Sequence, residues 1–146
     1  GPMISADHYG AFIGHYYREL VPFVKSLGIK SVFVDTDGDF FSLIPHLLAD
    51  GIDGFLPMDV NAGMDIIQVR SAFPNVKLIG GINKLALENG TEAIDNEIHR
   101  VMPVIRQGGY LPGIDHQVTP QTTLANYRYY IQKLSFAMKE AGSKCL

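Results

Sequence analysis

Three aspartates alternate in the run Val32-Phe33-Val34-Asp35-Thr36-Asp37-Gly38-Asp39, and an Asp115-His116 pair stands far downstream between Gly113 and Pro120. Residues two apart on an extended backbone project to the same side, so Asp35 and Asp37 can act together on one substrate or one cation. An imidazole titrates near neutrality, and beside a carboxylate it suits a general acid, a general base or a ligand. Asp35, Asp37 and His116 are therefore the candidate catalytic residues, and the same three form a candidate divalent-metal site. A structural role competes for each aspartate, since Asp before Phe40 can cap a helix and Gly38 favours a turn. His8, His15, His46 and His99 fall on expected helices and read as surface or packing residues.

A second candidate set is Gly80, Gly81, Asn83 and Tyr110. The glycine pairs Gly80-Gly81 and Gly108-Gly109 would let a phosphate or carboxylate approach the backbone, and they serve equally well as tight connections. No phosphate-loop pattern surrounds either pair.

These residues need a scaffold, and the apolar spacing supplies one. Phe12, Ile13, Tyr16, Tyr17, Leu20, Val21, Phe23, Val24 and Leu27 recur every three or four positions, which predicts one long helix over 5–27 with a buried face. Ser5 would cap it, Pro22 would bend it and Gly28 would stop it. Ile29 to Val34 is a β-branched run that predicts a strand ending in the aspartates. Beyond it the expected elements are a helix over 40–49, a strand over 54–57, a helix over 64–73 and a strand over 76–81. A helix over 91–107 follows, capped by Thr91, with Ile94, Ile98, Val101 and Ile105 on one face; then come a strand at 110–112 and a helix over 124–141 ending at Gly142. On that last helix Tyr127, Tyr129, Tyr130 and Phe136 read as packing. Strands alternate with helices and no hairpin dipeptide joins them, so the fold class is α/β with about four parallel strands. A doubly wound sheet accommodates this order. The loops after the strands, however, are richer in Asp, Gly, Asn and His than those before, which is where a (β/α) barrel carries its active face. Four such units make half a barrel.

Composition narrows the partners. The 146 residues are 47% hydrophobic and 18% charged, enough for the core of a single domain and too apolar for intrinsic disorder. Lys and Arg number 12 against 15 Asp and Glu, with no basic run, which argues against nucleic acid. The single cysteine, Cys145, forbids an internal disulfide and fits a reducing cytoplasm. No stretch is apolar for long enough to span a membrane, and the first residues show no basic region followed by an apolar one, as an export signal would. Gly1-Pro2 reads as a tag remnant, leaving 3–146 as one domain.

The motifs, taken in order, resemble the C-terminal part of the uroporphyrinogen decarboxylase superfamily. The series is Val32 to Asp39, Leu43-Ile44-Pro45, Ala49 to Gly54, Pro57, Ala62 to Asp65, Ile79 to Lys84, Gly108 to His116, and Asn126 to Tyr130. The resemblance runs from residue 5 to 142 and implies the C-terminal half of a (β/α)8 barrel. That superfamily holds tetrapyrrole decarboxylases and corrinoid-linked methyltransferases. In the latter a His-x-Cys pair and a later Cys hold a zinc that activates a thiol; the matching positions here are Asp35, Asp37 and His116. Two carboxylates and an imidazole make a harder donor set than thiolates. Family members commonly carry Asp where Asn83 stands. The resemblance implies a methyl-transfer domain with a small-molecule acceptor, a corrinoid supplied by a partner protein and a divalent metal, zinc in relatives, at the strand ends. The alternatives are tetrapyrrole decarboxylation by a longer parent chain and a non-catalytic half-barrel. Open sheet edges further imply a homo-oligomer.

Overall fold

The computed structural model describes residues 1–142, so Cys145 lies outside the described residues. Helices α1 (Ala6–Phe12) and α2 (Gly14–Ser26) lead into β1 (Phe33–Asp35). Then follow α3 (Ile44–Ala49), β2 (Gly54–Leu56), α4 (Ile66–Ala72), β3 (Lys77–Ile82), α5 (Thr91–Gln107), β4 (Tyr110–Ile114) and α6 (Leu124–Gly142). The four strands form one sheet in the order β1-β2-β3-β4, and every pairing is parallel. Parallel neighbours need a crossover, and helices supply each one here. The result is a partial barrel of (β/α) units, so the α/β expectation holds.

Helices pack on one side of the sheet. Phe55, Met58, Ile66, Val69, Leu78 and Ile82 are among the fully buried residues of that core. Pro45 stands in the first turn of α3, where its missing N–H costs nothing, and residues 41–43 before it form only a 3-10 turn. Arg70 of α4 is buried and donates to the carbonyls of Val76, Gly108 and Gly109 at 3.0, 2.8 and 3.2 Å, pinning the start of β4 to the end of α4.

Three local expectations need correction. The helix over 5–27 breaks at Ile13, whose φ of −122° leaves the helical region. Gly14 follows, and a Cβ there would lie only 2.6 Å from Oδ2 of Asp50, so only glycine lets α2 start against that carboxylate. Ser5 does cap α1, accepting the His8 N–H at 3.2 Å. Of the apolar stripe only Val21 is fully buried, whereas Phe12, Tyr16, Leu20, Phe23 and Leu27 are exposed. At α5 the cap position belongs to Gly90, with φ of 94°, and Thr91 is the first helical residue. On α6, Tyr130 is buried as expected, but Phe136 and Tyr127 face outward.

Candidate functional site

Parallel strands bring their carboxyl ends to one side, and each strand here delivers a polar residue there. Asp35 ends β1, Asp59 follows β2 by three residues, Asn83 follows β3, and Asp115-His116 follow β4. Between β2 and Asp59 the chain passes a cis Leu56-Pro57 bond and a buried Met58 held at φ of 60°. A non-glycine residue in that region is held there by its surroundings, in this case by a side chain locked in the core. An open cavity of about 570 Å3 lies over the ends, lined among others by Asp35, Asp37, Gly80, Asp115 and His116.

Asp115 is 0% exposed, yet among the described residues no Lys or Arg side chain pairs with it. Its Oδ2 accepts the Val60 N–H at 3.2 Å and the Asn61 side-chain amide at 3.4 Å, and its Oδ1 accepts the Lys84 N–H at 3.2 Å. Three donors offset the loss of water around the carboxylate. His116 stands beside it. Its Nε2–H donates to Oδ1 of Asp37 at 3.2 Å, because a carboxylate can only accept. Its Nδ1 is shielded from solvent, has no hydrogen-bond partner among the described residues, and lies 3.8 Å from Oδ1 of Asp115.

The expected catalytic residues therefore share one cavity, and Asp37 and His116 touch. The ligand atoms that crowd together differ from the expected metal set. Among the described residues the group whose donor atoms lie within 4.8 Å of one another is Asp59, Asp115 and His116, with Asp35 and Asp37 outside it. Sequence reasoning passed over Asp59, although its place just after a strand end parallels that of Asp37 and Asp115.

The second candidate set is tied up in the protein itself. A Cβ on Gly80 would collide with the carbonyl oxygen of Pro57, and one on Gly81 with the side chain of Ile66. Tyr110 donates its hydroxyl to the Gly80 carbonyl at 2.6 Å, and burial pushes its pKa up. Asn83 caps the following 3-10 turn, accepting the Leu85 N–H at 3.0 Å and the Asn61 amide at 3.1 Å. Gly80 alone of the four lines the cavity.

A parallel (β/α) sheet with a polar cluster at its carboxyl ends is the architecture of part of a (β/α) barrel. A family model described as uroporphyrinogen decarboxylase (URO-D) matches residues 1–135, and the chain belongs to that family. No curated protein and no solved structure gives a significant match. Among the described residues no helix is long and apolar enough to cross a membrane.

Proposed function

We propose that this URO-D family domain serves methyl transfer of the corrinoid-linked type, binding a small-molecule acceptor in the cavity at the strand ends. A partner protein would bring the corrinoid. The observation that carries this reading is the charge of the cavity lining, which includes Asp35, Asp37, Asp115 and His116 and, among the described residues, no Lys or Arg. A tetrapyrrole bearing several carboxylates would meet like charge there. Lys84 contributes only its backbone N–H to Asp115, and Arg128 lies exposed on α6.

A divalent ion fits the same mouth. The orphaned, solvent-shielded Nδ1 of His116 has the character of a ligand awaiting a cation, and Asp59 and Asp115 add oxygen donors. Such a set is harder than the thiolate-bearing zinc site of the methyltransferases that the chain resembles. When bound, the ion would lower the pKa of an acceptor's hydroxyl or thiol. Asp35 stands exposed at the cavity wall, in reach of the proton that the acceptor gives up.

The test follows labelled methyl from methylcobalamin to alcohol and thiol acceptors, with the wild type and a variant carrying Asp35→Asn, Asp37→Asn and His116→Ala. The expected result is at least a tenfold loss of labelled product in the triple variant. Equal transfer by both proteins would overturn the reading, as would release of carbon dioxide from a porphyrinogen.

A further inference from the structure

Resting on the reading of the mouth as a cation site, we propose that Asp37 is a positioning residue and not a ligand. It holds the Nε2–H of His116, which presents Nδ1, together with Asp59 and Asp115, to one hard divalent cation. The argument begins with the imidazole. A neutral ring carries one N–H and one lone pair, and the contact to Asp37 at 3.2 Å places the hydrogen on Nε2. Nδ1 then carries the lone pair and lies 3.8 Å from Oδ1 of Asp115, so two acceptors stand across a gap too long for a hydrogen bond. A cation held between them would turn that opposition into shared coordination. Donors about 2.1 Å from a common ion stand at such separations.

The two carboxylates on that side are prepared differently. Asp115 is fixed by its three donors, and Lys84 takes only one lone pair of the oxygen that faces His116. Asp59 accepts the Ala62 N–H through Oδ1 at 3.2 Å, a bond made by one of its two oxygens. Asp37 is unlike both: its side chain is 77% exposed, it stands outside the ligand group, and its contact is with the far nitrogen of the ring. A carboxylate on the far nitrogen of a ligating histidine fixes the tautomer and raises ligand basicity, and its loss costs about 10–100-fold in metal affinity. Two carboxylates and one imidazole favour ions such as Mn2+ over those that seek thiolate.

The experiment titrates Mn2+ into the purified chain, reading free Mn2+ by electron paramagnetic resonance. The wild type is compared with Asp35→Asn, Asp37→Asn, Asp37→Glu and Asp59→Asn, each checked for native circular dichroism. The expected results are one ion per chain for the wild type, abolished binding for Asp59→Asn, and about 10–100-fold weaker binding for Asp37→Asn. Asp37→Glu should recover part of that loss, and Asp35→Asn should bind as the wild type does. A second readout is the 15N spectrum of His116 on addition of diamagnetic Zn2+, in which Nδ1 should shift while Nε2 keeps its proton. Unchanged affinity in Asp37→Asn, or a shift at Nε2 in place of Nδ1, overturns the role of Asp37 and leaves the cation reading standing. A wild type that binds neither ion overturns both.

Discussion

The hydroxyl of Tyr9 donates to Oδ2 of Asp50 at 2.8 Å, across 41 positions of chain, while the guanidinium of Arg18 donates to Oδ1 at the same distance. One carboxylate at the end of α3 thus holds both α1 and α2. Burial, and then the bond to Asp50, push the Tyr9 pKa well above the ordinary tyrosine value, so the hydroxyl stays a donor wherever the protein is folded. Tyr9→Phe should cost about 1–2 kcal/mol, because Asp50 is left buried with one partner fewer. Urea unfolding measures it; an unchanged midpoint would mean that Arg18 alone satisfies the carboxylate.

Gly80 has φ of 91° and packs directly beneath the Pro57 carbonyl. Gly80→Ala therefore combines an unfavourable backbone region with a collision against backbone, and should destabilise by about 3 kcal/mol or more. Thermal unfolding of that variant checks it. A variant as stable as the wild type would show that the β2 end can shift aside.

Acid should weaken the fold through two carboxylates. Burial alone would raise the pKa of Glu97, but Arg100 at 2.8 Å and the Asn83 N–H at 2.9 Å outweigh it and hold the group below its ordinary 4.5. Burial likewise opposes ionisation of Asp53, where the Val32 N–H at 2.8 Å and Lys25 at 2.9 Å prevail and hold it below 3.8. A carboxyl group whose pKa is lower in the folded state adds stability that is complete above its ordinary value and lost as pH falls through the lowered one. Urea midpoints should stay level down to about pH 5 and drop below about pH 4. Glu97→Gln should flatten that acid limb, and a limb of unchanged steepness would exonerate Glu97.

Tyr16, Leu20, Phe23 and Leu27 lie at helical spacing along one exposed side of α2, and β1 and β4 leave unpaired edges. In a solution of the purified chain a second copy would cover them. Light scattering should report a mass above that of one chain, rising with concentration, and Leu20→Glu with Phe23→Glu should lower it. A wild-type chain that stays monomeric at every concentration would contradict this.

The parallel topology was legible because its signals are local: apolar runs, glycine stops and helical spacing each sit within a few residues. The break at Ile13 was not, because both halves keep the same apolar period and Asp50, which packs against Gly14 just after it, lies far along the chain. The shared cavity of Asp35, Asp37 and His116 could be read from the ordered motifs. Which of them face one another could not, since a single Asp59 after a proline carries no sign of its own until the strand ends are laid side by side. The exposed faces of α2 and α6 were also misjudged, for periodicity marks an apolar stripe without saying what covers it.

Asp115 has a kinetic consequence as well. Its one carboxylate receives Val60 and Asn61, which follow β2, and Lys84, which follows β3, while itself following β4. Opening any of these segments breaks the same anchor, so the rim opens as a single unit. The amide hydrogens of Val60 and Lys84 should exchange with deuterium at one common opening rate, and Asp115→Asn should speed both together.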